Sequence, residues 1–182
     1  ISNAYLFTTS FQARPFYQKL GYQVFGQLDH HPQEHTFYFM KKSGLQAYPT
    51  DVRITIEAPP HQSSMQIIEK GLLDDIARYR PLDVRRIAIF LKDEEGVIMG
   101  GASGVIFWDW LDIQFLWIDE RLRGLGWGKG ILKQLEYHAQ QSGLQGMRCD
   151  TSSFQALPFY QAQGFSIIGQ LNNRPPDHTS YF

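Results

Sequence analysis

Between Arg121 and Gly130 the chain reads RLRGLGWGKG, with glycine at positions 124, 126, 128 and 130. Glycine reaches positive φ without strain and lets a ligand approach the backbone closely. Ile131, Leu132 and Leu135 follow at helical spacing, so the glycines sit where a helix begins. A helix start carries unpaired N–H groups and the positive end of the dipole. A strand, a glycine loop and a helix start together make an anion site, most often for phosphate. The competing reading is a glycine-rich turn that merely packs.

Two well-known phosphate loops do not fit. With Gly128-Lys129 as the GK of GxxxxGK[ST], the first glycine falls on Arg123 and the last position is Gly130. GxGxxG fails because the glycines alternate, and the preceding strand belongs to a meander. Arg123-x-x-Gly126-x-Gly128 instead resembles the Q/R-x-x-G-x-G/A signature of the GNAT superfamily of N-acetyltransferases. FYQAQGF, 159–165, is similar to that family's LYekxGF stretch. The resemblance covers about residues 50–182.

The resemblance implies acetyl-CoA as co-substrate and direct attack of an amine on its thioester. It implies pyrophosphate binding by the loop residues Arg123, Gly124, Leu125, Gly126, Trp127, Gly128 and Lys129. The pantetheine arm would lie along the strand edge at Leu116, Trp117 and Ile118, bonding like an added strand. Tyr160 matches the tyrosine that protonates the departing thiolate; packing against the cofactor is the alternative. Asp112 lies near the family's general base, with a solvated strand-end carboxylate as its alternative. Asp119, Glu120 and Asp150 are further carboxylates in the region. Ser153 stands where many members have an asparagine that contacts pantetheine, which puts that one hydrogen bond in doubt.

The elements that must hold these residues read as follows. VRITIEA, 52–58, alternates as a strand, and 65–80 has helical spacing and stops before Pro81. Strands are expected at 85–93, 97–108 and 111–118, with a turn at DEEG and a bulge marked by Gly100, Gly101 and Gly104. A helix over 127–143, a strand at 146–152, a short helix at 154–164 and strands at 165–171 and 178–182 complete the series. The order β-α-β-β-β-α-β-α-β-β is a mixed α/β domain. Trp108, Trp110, Phe115 and Trp117 crowd its third and fourth strands, either as core or as walls of an acceptor pocket.

Residues 8–39 match residues 151–182 at an offset of 143 without a gap, with 18 of 32 positions identical. This reads as duplication. Residues 1–42 are then a partial copy holding only the C-terminal half of the domain (β-α-β-β), 43–50 a linker with Gly44 and Pro49, and 51–182 the complete domain. Tyr17 is the counterpart of Tyr160 but has no glycine loop before it. The half-domain should dock onto a complete domain, and its exchange between chains is one route to a homodimer. The chain starts with Ile1 rather than Met, which reads as a fragment or a processed chain.

Hydrophobic residues make up 43% of the 182, enough for a sizeable core, and the net charge of -1 gives no footprint for nucleic acid. Cys149 is the single cysteine, which excludes an internal disulfide and fits a cytoplasmic setting. No metal site is expected: His35 and His178 have no second ligand at a useful spacing. No apolar run reaches membrane-spanning length. The reading is an N-acetyltransferase for a primary amine on a small molecule. The alternative is a non-catalytic acyl-CoA-binding or assembly module with the same fold.

Overall fold

The computed structural model describes residues 3–44 and 55–182. A four-stranded sheet in the order β4-β5-β6-β7 carries the glycine loop at one end. It consists of β4 (Val84–Lys92), β5 (Ile98–Phe107), β6 (Trp110–Ile118) and β7 (Gly146–Cys149). The first three strands are antiparallel, whereas β7 runs parallel to β6 because a helix crosses over between them. That helix, α3 (Trp127–Gln141), lays Ile131, Leu132, Leu135 and Ala139 on the sheet. They meet Ala102, Ile106, Leu111 and Ile113, the inward positions of β5 and β6. Leu135 and Leu111 are fully buried. Truncating either to alanine would cost roughly 2–5 kcal/mol.

The expected bulge is present. Ser103 pairs with Phe115 but Gly104 pairs with Ile113, so Gln114 is the extra residue on β6. The pairing of β6 with β7 runs only from Trp110↔Gly146 to Ile113↔Cys149. Beyond that point β7 gives way to β8 (Thr151–Ser152), which pairs with β10 (Thr179–Tyr181) instead. The expected strand 146–152 thus changes partner at Asp150, and β6 runs on alone from Gln114 to Ile118 on that side.

α4 (Leu157–Ala162) and β9 (Gln170–Asn172) complete the C-terminal sheet, in the order β8-β10-β9. The expected strand 165–171 is regular only from Gln170. The residues before it are drawn against the N-terminal segment, where an alanine Cβ at Gly169 would fall 2.8 Å from the Phe25 carbonyl oxygen. The helix expected at 65–80 is α2 (Gln62–Ala77), starting three residues earlier. Of the expected strand 52–58, residues 52–54 lie outside the described residues, and 55–58 form no strand. Most of the expected linker, 45–50, also lies outside them.

The N-terminal segment is β1 (Asn3–Thr9), α1 (Arg14–Lys19), β2 (Gln23–Asp29) and β3 (Thr36–Ser43), with sheet order β1-β3-β2. Positions 143 apart share local geometry. The Ser10 hydroxyl lies 3.1 Å from His35 Nδ1, and the Ser153 hydroxyl lies 3.2 Å from His178 Nδ1. The Ala13 and Ala156 N–H groups donate to the Thr8 and Thr151 hydroxyls. His30 and Asn173 both have positive φ, at 56° and 59°.

This segment docks on the rest of its own chain. Phe25, Phe39 and Phe182 form one aromatic cluster, with ring centroids 5.4–6.0 Å apart. A Cβ at Gly26 would fall 2.6 Å from the Ile168 carbonyl oxygen, mirroring Gly169 against Phe25. Only glycine permits both approaches. The Gln33 N–H donates to Asp109 (2.8 Å), the Trp110 indole to the His30 carbonyl (3.2 Å), and Arg174 to the Tyr5 hydroxyl.

Candidate active site

The glycine loop turns sharply because Gly124 and Gly126 adopt φ of +75° and +88°. Gly126 is the N-cap of α3, with no side-chain cap and no acidic residue in the first turn. The Gly130 N–H is bonded to the Gly126 carbonyl, which leaves the N–H groups of Trp127, Gly128 and Lys129 without helical acceptors. They point to the same place as the positive dipole end, and Lys129 adds a cationic side chain to this turn. Arg123 donates from Nε to the Ile118 carbonyl at 3.1 Å, tying the loop to the end of β6.

A cavity of about 750 Å³ lies over this loop. Its walls are the free edge of β6 at Leu116, Trp117 and Ile118, and the loop at Arg123, Gly124 and Gly126. Trp127, Gly128 and Lys129 line it from α3. The opposite wall is Gln155, Ala156, Phe159 and Gln163, beside and on α4. A phosphate-bearing group fits the amide cradle, and an extended arm with amide groups fits the unpaired edge of β6. Leu125 is 67% exposed and its side chain does not line the cavity. The second wall was not singled out from the sequence, although Phe159 and Gln163 lie inside the FYQAQGF stretch.

Tyr160 packs its ring into the core against Phe159 and Phe165, at 5.3 and 5.5 Å, and is not on the cavity lining. Among the described residues the buried side-chain nitrogens and oxygens without a partner are Arg14 Nε, His31 Nδ1 and Asp109 Oδ1. Tyr160 borders instead a small cleft with Cys149, Thr151 and Phe165, and is 8% exposed. Burial, helped by the neighbouring Cys149 and Asp150, pushes its pKa up to about 12. The hydroxyl therefore keeps its proton throughout the physiological range. Ser153 is used inside the fold: its hydroxyl accepts from the Thr179 N–H and meets His178. It does not line the cavity.

Asp112 faces the other way from Leu111 and Ile113. Arg148, its register partner on β7, donates to Asp112 Oδ2 at 2.6 Å. Burial raises the Asp112 pKa, while Arg148 pulls it down. Asp112 and Arg148 line a second cavity, of about 250 Å³, with Gln114, Phe107 and Trp110. The N-terminal segment contributes His31 and Phe37 to it. Asp119 is committed elsewhere, capping a short turn at Glu120–Leu122 and pairing with Arg121 at 2.9 Å. Trp108 is buried and donates to the Pro81 carbonyl, while Phe115 is 71% exposed. No cluster of three or more potential metal ligands occurs among the described residues.

Comparison with known proteins bears on the same stretch. The model of the acetyltransferase (GNAT) family matches residues 55–165. A blasticidin-S acetyltransferase from Streptomyces morookaense is 35% identical over 103 residues, 56% of this chain and 74% of that protein. An acetyltransferase of Agrobacterium fabrum is 32% identical over 108 residues, 57% of this chain and 79% of that protein. The crystal structure of an acetyltransferase from Bacillus cereus superposes with a TM-score of 0.64 at 28% identity, covering 72% of this chain and 96% of that one. The matched span holds the glycine loop, the free edge of β6 and the α4 wall, and on that basis the chain belongs to the acetyltransferase (GNAT) family of acyltransferases, whose members use acetyl-CoA.

Proposed function

We propose that this protein transfers an acetyl group from acetyl-CoA to the primary amine of a small molecule by direct attack. One observation carries the reading: the uncapped start of α3 and the unpaired edge of β6 open into one cavity. The pyrophosphate sits on the amides from Gly124 to Lys129, Leu125 contributing through its backbone, with Lys129 as counter-charge. The pantetheine arm bonds along Leu116, Trp117 and Ile118 and carries the thioester to the divergence of β6 and β7. Ser153, held by Thr179 and His178, supports this wall rather than reaching the cofactor.

The amine arrives as an ammonium, with a pKa of about 10, and must shed one proton to solvent or to a base. Asp112 is the nearest carboxylate to the divergence along β6, and Arg148 limits its basicity. The neutral nitrogen forms the C–N bond while the C–S bond breaks. The sulfur leaves with the electron pair and takes the Tyr160 proton, and the amine's second proton restores the tyrosine. The net products are the amide, the CoA thiol and one proton. That a relative is named for blasticidin S supports a small-molecule acceptor.

We also read residues 1–42 as a partial repeat, 43–50 as a linker and 51–182 as the catalytic domain. The shared geometry of positions 143 apart supports this. The half-domain docks in cis, and the same contacts exchanged between two chains would give a homodimer. The test of the central reading is CoA-thiol release from acetyl-CoA across a panel of primary amines. Turnover that falls about 10²–10⁴-fold in Tyr160→Phe, with acetyl-CoA affinity retained, supports it. Acetyl-CoA binding without turnover on any amine would favour a non-catalytic binding module.

A further inference from the structure

The smaller cavity is built jointly by the catalytic sheet and the N-terminal segment, and its polar groups are incompletely satisfied. His31 is 2% exposed and its Nδ1 has no hydrogen-bond partner; it lies 3.8 Å from Asp109 Oδ1, itself a buried orphan. Buried polar atoms are rarely left unpaired, and the ring that carries one of these orphans, His31, lines the cavity. Asp109 is anchored by the Gln33 N–H at 2.8 Å and neighbours Arg80 at 3.9 Å. Its remaining oxygen is the charged group that faces His31 Nδ1.

The walls are aromatic. The His31 ring lies 5.0 Å from Phe37 and 5.2 Å from Trp110, and Phe107 closes another side. Toward β6 the surface turns polar, with Asp112 and the bulge residue Gln114. Leu116, which lines the larger cavity, is two residues on, about 7 Å along a strand. A volume of about 250 Å³ is below the usual range for drug-sized ligands.

We propose that this cavity is the acceptor pocket for a small arylalkyl primary amine, and that His31 and Phe37 of the N-terminal segment determine its specificity. The inference rests on the acetyltransferase reading above. The aryl ring stacks among Phe37, Phe107 and Trp110. The amine end meets Asp112 and Gln114, next to the thioester, and the His31 imidazole meets a polar group of the acceptor. A long polycation finds no room, and the Arg148 guanidinium over Phe37 repels a second positive charge.

The probe is 2-phenylethylamine with acetyl-CoA, read by CoA-thiol release, with spermidine as comparison. The wild-type chain acetylates 2-phenylethylamine in preference to spermidine. His31→Leu raises KM for the amine about tenfold or more, with KM for acetyl-CoA unchanged. Val105→Phe, which fills the cavity from β5, abolishes turnover of 2-phenylethylamine while acetyl-CoA still raises the melting temperature, showing that the variant is folded. Acetyl-CoA binding without turnover of 2-phenylethylamine overturns the assignment, as does an unchanged amine KM in both variants. Failure of acetyl-CoA to bind the wild-type chain overturns the acetyltransferase reading instead.

Discussion

His31 is a buried histidine, 2% exposed. Burial first, then the charge of Arg148, bring its pKa down to about 4, and Asp109 only partly opposes them. The unfolded chain takes up a proton here, near pH 6.5, that the native state rejects. The contribution of this group to stability is therefore full above about pH 6.5, falls as pH drops toward 4, and changes little below that. On the order of 3 kcal/mol is at stake over that window. Urea denaturation at pH 7 and pH 5 should show the loss, and His31→Leu should flatten the slope; an equal slope in the variant would contradict it. Cys149 behaves in the opposite sense, because burial pushes its thiol up to about 12. Iodoacetamide at pH 8 should label the folded chain roughly 10³-fold more slowly than the unfolded one. Mass spectrometry of timed aliquots checks this, and rapid labelling would show that the thiol is accessible.

At the scale of elements, much of the site was legible because it is local. The alternating glycines, the helix pattern after them and the FYQAQGF stretch all lie within short windows, and the structure has α3 and α4 where those patterns fall. Strands β4 to β6 lie within a residue of their expected bounds, since alternation and turn residues fix them. Partner changes were not legible. The strand over 146–152 divides because β7 and β8 pair with different neighbours, and alternation carries no record of which strand lies alongside. The regular part of β9 starts only at Gln170, next to Gly169, which is pressed on Phe25 from a segment over 140 residues away in sequence. The smaller cavity was invisible for the same reason, as only the fold brings His31 to the same wall as Asp112 and Arg148. Gly26→Ala tests this layer directly: its Cβ would meet the Ile168 carbonyl oxygen at 2.6 Å. It should cost about 1–3 kcal/mol in denaturant unfolding, with acetyl-CoA affinity unchanged. A neutral substitution would mean that the two sheets are not held at this approach.

For the whole molecule, the N-terminal sheet and the C-terminal sheet meet around Phe25, Phe39 and Phe182, and Phe39 is 1% exposed. A buried interface of this kind couples the halves. Phe39→Ala should destabilise the chain by about 3–5 kcal/mol and remove hydrogen-exchange protection from both sheets together. Loss confined to residues 3–44 would show that the segment is an independent attachment.

The central claim is that the glycine loop and the free edge of β6 form one acetyl-CoA site. Calorimetric titration of acetyl-CoA into the wild-type chain and into Gly126→Val tests it most directly. Valine is strongly disfavoured at a φ of +88° and would displace the amides of the cradle. A working cradle gives saturable one-to-one binding to the wild type and affinity at least about tenfold weaker in the variant, a difference of about 1.4 kcal/mol. No binding at millimolar acetyl-CoA, or equal affinity in both chains, would contradict it.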